Sequence, residues 1–365
     1  MLNHRGSSHL RARGGVPAFA LGLLLAGAPA GAQETPSVVF RSSALEVSIN
    51  GRVQTQFNTT SVETEPATEF ELRRVRLEAS VRVNELVSAR IQPEFAGSRV
   101  SLRDAWVKFG FSPVFQLLAG QAHRPFGTIV PTSSSRMLPI ERGARIRGLP
   151  GALDEHNLVA GLGYADRDVG VQVSSDPERT FSYAAGVFNG PARAEAGAEE
   201  TYQLGARAAV RPTKPLRVGA SWSRRHFVVT EGLPEEEVKL FTGTAWALDM
   251  EYGAYAPGVH VVGELAYGDF NPAVDARFLG VQGWLGYRTR PLGPRRVNVE
   301  PVLRVSHGDP DVGGEGGATG GGTLFTPGVN FYFGPLNRIM LNYDLWSPER
   351  GEREGSFRAQ FQVAF

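Results

Sequence analysis

Arg74-Val75-Arg76-Leu77-Glu78-Ala79-Ser80-Val81-Arg82-Val83 alternates without a break. Arg74, Arg76, Glu78, Ser80 and Arg82 fall on one face, and Val75, Leu77, Ala79, Val81 and Val83 on the other. Successive side chains point to opposite sides of an extended chain. The stretch is therefore a strand with one wet and one dry side. It is also long: strands of soluble domains cluster near about 5–6 residues, whereas those that cross a bilayer need about 9–11.

The same reading holds on either side. Leu45, Val47, Ile49, Val53 and Phe57 oppose Glu46, Ser48, Asn50, Arg52 and Gln54. Leu216, Val218, Ala220 and Trp222 oppose Arg217, Ser221, Ser223 and Arg225, and Ile339, Leu341, Tyr343 and Leu345 oppose Arg338, Asn342 and Asp344. Sixteen strands follow, near 44–57, 70–83, 86–95, 100–110, 114–122, 167–174, 180–187, 201–211, 215–226, 241–254, 258–269, 277–288, 296–306, 322–333, 337–347 and 355–365. Short turns such as Asn84-Glu85 and Gly334-Pro335-Leu336 alternate with long segments such as 58–69, 123–166, 188–200 and 307–321. A sandwich has no reason to sort its loops by parity, but a transmembrane antiparallel up-and-down β-barrel has short turns on one side and long loops on the other. The last strand places Phe357, Phe361, Val363 and Phe365 on one face and ends on Phe365, a pattern that resembles an outer-membrane assembly signal. Trp106, Phe109, Tyr287, Phe333, Tyr343 and Trp346 near strand ends are expected to form interfacial girdles.

Before the barrel lies an export segment. Arg5, Arg11 and Arg13 precede an apolar run from Val16 to Ala28 and the small-residue site Ala30-Gly31-Ala32. Residues 1–32 are therefore expected to be a signal peptide cleaved after Ala32, leaving 33–365 as the barrel. The full chain carries +1; losing three Arg and no acid takes the mature chain to −2, which argues against nucleic acid as a partner. There is no Cys, and Lys occurs only at Lys108, Lys214 and Lys239, so positive charge is almost all Arg.

Short ordered blocks resemble the phosphate-selective porin O and P family. They are Phe70-Glu71-Leu72-Arg73-Arg74-Val75-Arg76-Leu77, Ser101-Leu102-Arg103-Asp104-Ala105-Trp106-Val107, Gly120-Gln121-Ala122-His123-Arg124-Pro125-Phe126-Gly127 and Thr132-Ser133-Ser134-Ser135 leading to Ile140-Glu141-Arg142. Asp168-Val169-Gly170-Val171-Gln172 and Tyr183 to Gly190 resemble the blocks that follow, so the likeness spans about 70–190. The resemblance implies a sixteen-stranded homotrimeric porin of the bacterial outer membrane, with its third outer loop folded into the lumen and a preference for anions. The scarcity of Lys departs from the family's pattern.

The segment 123–166 is too long for an idle loop. It carries Arg124, Arg136, Arg142, Arg145 and Arg147, which, folded inward, would narrow and charge the pore. Arg rings select anions and phosphate. Lumen-facing Arg52, Arg74, Arg76, Arg82, Arg207 and Arg217 would form a ladder toward them. The competing arrangement pairs these Arg residues with Glu46, Glu78, Glu94, Asp104, Asp249, Glu251 and Glu264, leaving a general, non-selective porin.

Other chemistry finds little support. Gly313 to Gly322 is followed by no Lys-Ser/Thr, so it is not a phosphate-cradling loop. The His residues lack metal spacing, and no metal or cofactor is expected. Glu235-Glu236-Glu237 reads as a solvated outer loop. The expectation is a passive channel rather than an enzyme. Its partners are small solutes, outer-membrane lipid and lipopolysaccharide, and the barrel assembly machinery. A plugged structural barrel, hinted at by Trp106 and Trp284, and an outer-membrane hydrolase are the alternatives.

Overall fold

The structure, a computed structural model, describes residues 37–42, 45–62, 68–191, 201–229, 239–253, 257–314 and 317–365. The export segment 1–32 with its cleavage point, and the run Glu235-Glu236-Glu237, lie outside the described residues. A short strand β1 (Val38–Arg41) precedes β2 (Glu46–Thr59), β3 (Thr68–Arg82), β4 (Val87–Glu94), β5 (Ser101–Ser112), β6 (Phe115–His123), β7 (Arg167–Ser174), β8 (Phe181–Phe188) and β9 (Gln203–Thr213). The chain continues through β10 (Leu216–Val229), β11 (Lys239–Tyr252), β12 (Gly258–Asn271), β13 (Ala276–Arg288), β14 (Asn298–Asp309), β15 (Gly322–Tyr332), β16 (Arg338–Pro348) and β17 (Glu354–Ala364). A seven-residue helix, α1 (Glu155–Gly161), sits within 124–166.

Strands β2 to β17 each pair antiparallel with the next, and β17 returns to β2 from Arg358↔Asn58 to Ala364↔Arg52. This closes a sixteen-stranded up-and-down barrel, as the alternation predicted, with strand ends within three residues of the expected ones. Closure leaves no backbone edge in lipid. β1 is additional: it pairs with Glu46–Ile49, the part of β2 that β17 does not reach.

Burial is inverted relative to a soluble protein. Phe70, Leu72, Trp246 and Leu248 are the outward, exposed side chains, while Gln54, Gln360, Arg304 and Asp344 are buried inside. Two expectations need correction. Trp106 and Trp346 do not join a girdle: Trp106 lies under the Arg90 guanidinium at 5.3 Å, and Trp346 is buried in a lumenal cluster with Ile146 and Leu324. The loop-parity rule also fails in places, because the outer connections 272–275 and 349–353 are short and the opposite-side connection 289–297 is long.

Phe188 spans the close approach of β7 and β8. A Cβ added at Gly170 would lie 2.2 Å from the Val187 carbonyl oxygen and 2.8 Å from Phe188 Cα, both backbone atoms. Gly170→Ala is accordingly expected to cost about 1–3 kcal/mol, read as a lower urea midpoint in detergent; an unchanged midpoint would refute it.

Candidate functional site

The connection 124–166 folds into the lumen and is held there by the barrel wall. Arg124 fastens its base, donating to Asp168 at 3.2 Å, to Gln203 Oε1 at 2.7 Å and to the Ala165 carbonyl. Beyond it, wall side chains satisfy backbone groups that a buried loop would otherwise leave unpaired. Gln54 donates to the Ser134 carbonyl (3.1 Å), Arg338 to that of Met137 (2.8 Å), Asn330 to that of Leu138 (3.0 Å) and Arg304 to that of Glu141 (2.7 Å). Asn342 Oδ1 accepts from Ile140 N at 2.7 Å.

Apolar contacts complete the docking. Ile129, Met137 and Leu138 pack on Val262, Trp284 and Val302. Phe126, Leu158, Val159 and Tyr164 pack on Ala245, Ala247, Ala266 and Phe278. Trp284 thus seats the loop against β12 to β14. Asp154 caps α1, accepting from Asn157 N at 3.1 Å and from Ala144 N at 3.1 Å.

What remains open is a cavity of about 1300 Å³ bounded by β2 to β7, the loop, the turn 175–180, and the neighbouring ends of β9, β10 and β11 with the turn 214–215. Nine cationic side chains line it, Arg52, Arg76, Arg90, Arg136, Arg142, Arg167, Arg211, Lys214 and Arg217, against four acids, Glu78, Asp104, Glu178 and Glu251. The loop contributes Thr128, Thr132, Ser133, Ser134, Ser135, Arg136 and Arg142 to this wall and no carboxylate. Hydroxyls and guanidinium groups are donors of the kind that replace an anion's water shell.

The expected site residues divide between this cavity and the scaffold. Arg52, Arg76, Arg136, Arg142 and Arg217 line it. Arg52 donates to Ser133 Oγ at 2.8 Å and so bridges wall and loop. Arg142 donates to the carbonyls of Ile129 (3.1 Å) and Thr132, drawing the hairpin 129–142 together. Burial, and next to it the charge of Arg74, push its guanidinium down to about 9. Arg145 and Arg147 instead pair with Glu71 and Glu69, both at 2.5 Å. Arg74 lies beneath the loop on Glu141 at 2.9 Å, Arg207 grips Asp249 (2.7 Å from Nη2), and Arg82 is exposed at the end of β3.

Burial alone would raise the Glu141 carboxyl, but Arg74 and Arg73 outweigh it and hold it well below the usual range. Arg73 reaches Glu141 because of a bulge: Gln54 pairs with Arg74 and Thr55 with Leu72, leaving Arg73 unpaired in the ladder. Two acids are paired as the competing arrangement has it, Glu94 with Arg76 and Asp249 with Arg207, while Asp104 and Glu78 are taken by other arginines, Arg167 and Arg90. The cavity nonetheless keeps a surplus of cations. Its members Arg90, Arg167, Arg211 and Lys214 were not singled out from sequence; Arg90 and Arg211 carry a signal there, on the polar faces Ser88, Arg90, Gln92 and Glu94 and Gln203, Arg207 and Arg211.

A family model for phosphate-selective porin O and P matches residues 47–231. No curated protein matches the chain. Among solved structures, the anion-selective porin from Comamonas acidovorans superposes with a TM-score of 0.61 at 12% identity, covering 88% of this chain and 100% of that one. The outer membrane channel DcaP of Acinetobacter baumannii gives 0.58 at 13% identity, covering 89% and 99%. OmpT of Vibrio cholerae in its trimer form gives 0.53 at 13% identity, covering 88% and 100%.

Proposed function

The chain belongs to the phosphate-selective porin O and P family, and from that premise we propose that its pore passes small anions in preference to cations. It is an integral outer-membrane porin, a passive diffusion channel. One observation carries the anion preference: nine cations face four acids across the open lumen, and the loop adds no carboxylate. Low-dielectric walls focus such a field. Arg52 and Arg142, held beside Ser133 and Thr132, are the first contacts for an oxyanion such as phosphate.

We assign no catalytic role. A phospholipase would need serine beside histidine on the lipid face, where His307 and His226 meet Thr323 and Thr242, at 3.0 and 3.5 Å. The assembly that goes with this reading is a homotrimer set in lipid and lipopolysaccharide and inserted by the barrel assembly machinery. The trimer form of the Vibrio OmpT barrel supports it.

The test is a reversal potential across a potassium chloride gradient in a planar bilayer. A potential on the chloride side, with current reduced by added phosphate, is the expected result. A potential on the potassium side would sink the anion reading and leave a general porin.

A further inference from the structure

A buried acid pair takes no part in the cavity. Glu155 opens α1, Glu264 stands on the lumen side of β12, and both are buried. One oxygen of each is satisfied. Glu155 Oε2 accepts from Gln282 Nε2 at 2.9 Å, and Glu264 Oε2 accepts from Thr128 N at 2.5 Å and Ile129 N at 2.9 Å. The other oxygen of each, Oε1, meets no ordinary donor. Gln282, the donor to Glu155, stands directly opposite Glu264 in the β12–β13 register, so the two carboxyls are neighbours, and a proton shared between them relieves the repulsion of the pair.

The packing is built around this pair. A Cβ at Gly280 would lie 2.9 Å from Glu155 Cγ, and one at Gly127 would lie 2.3 Å from Glu264 Oε1. The neighbouring charges are acids: Asp154 on the loop, facing Arg304 of β14, and Asp249 on β11, already held by Arg207 of β9. From β13 comes Gln282, backed by Trp284 at 3.2 Å, and from β14 Ser306, whose Oγ accepts from Glu155 N at 3.3 Å. Neither carboxyl has a cation in ion-pair contact among the described residues.

We propose that a proton shared by Glu155 and Glu264 latches the inward-folded loop to the barrel wall at β12, and that its loss as pH rises loosens this hold and widens the channel. Glu264 holds the outgoing leg of the loop at Thr128 and Ile129, and Glu155 the returning leg at α1, so the pair ties both legs to β12. Two carboxylates forced together away from water cannot both ionise without strong repulsion. Burial first, then Glu264 and Asp154, push the Glu155 carboxyl well above its ordinary range. A folded-state value raised in this way gives docking free energy that is present while the proton is bound and lost as pH rises through that value.

The test is single-channel recording of the full-length protein at constant salt between about pH 6 and about pH 10. The native channel is expected to gain about twofold in conductance, with more current noise, toward the alkaline end. Glu155→Gln, whose amide donates to Glu264 without charge and still accepts from Gln282, is expected to stay low and flat. A native channel whose conductance ignores pH, or a Glu155→Gln channel that keeps the rise, overturns the latch. Should Glu155→Gln not assemble, Glu264→Gln makes the same test from the wall side. Permselectivity measured in the same bilayers is independent, so the latch and the anion reading stand or fall apart.

Discussion

Asp344→Ala is expected to destabilise the barrel by about 3–5 kcal/mol, the range for stripping one partner from a buried ion pair. Asp344 is buried on β16 and binds three other strands. Its Oδ1 accepts from Arg304 (2.7 Å, β14) and Thr326 (2.6 Å, β15), and its Oδ2 from Arg358 (2.9 Å, β17). Removal leaves two buried guanidinium groups sharing no carboxylate. The damage reaches the loop, because Arg304 also donates to the carbonyls of Glu141 and Gly143. Urea unfolding followed by tryptophan fluorescence reads the stability, and open-channel noise reads the loop. Asp344→Asn, which keeps the volume and one acceptor oxygen but turns the other into a donor and removes the charge, should fall between native and alanine. A loss under about 1 kcal/mol for alanine would mean that the cluster relaxes and the account of it is wrong.

The second large effect is on selectivity. Lys214→Glu combined with Arg217→Glu changes the cavity lining from nine cations and four acids to seven and six. The ratio of chloride to potassium permeability is expected to fall by roughly tenfold, with little change in stability. Both positions sit at one end of the cavity, and Arg217 touches the loop only through Thr128 Oγ1 at 3.3 Å. Arg350→Glu, on the exposed outer connection 349–353, is the control and should leave the ratio unchanged. An equal shift from the control would place the selectivity in the surface charge rather than in the cavity.

The barrel was legible because period two is a direct print of the pleat, and because lipid outside and water inside keep the two faces chemically distinct along every strand. The site was legible only in part. Alternation assigned Arg52, Arg76 and Arg217 to the lumen, and they line the cavity. It could not see the bulge that turns Arg73 inward beside Arg74, since one extra residue reverses the face without any change in composition. Nor could it say which lumenal arginines would be spent on the loop: Arg304 and Arg338 serve its backbone carbonyls. One sign was present. The lumen face of β11 to β13 carries Ala245, Ala247, Ala266, Val262, Phe278 and Trp284, too apolar for a water-filled wall, and that is where the loop packs.

β1 has a mechanical meaning. β17 runs along β2 until Phe365 exchanges backbone hydrogen bonds with Gly51, at 2.6 and 3.0 Å, its ring lying over that glycine. Two residues further, Val38 of β1 already faces Ile49. A slip of β17 by one pleat toward the barrel's lower rim would bring Phe365 onto the berth that Val38 occupies. β1 therefore acts as a doorstop at the seam. The joint between the first and last strands of the barrel is kept from creeping, and with it the stagger that fixes the barrel's girth.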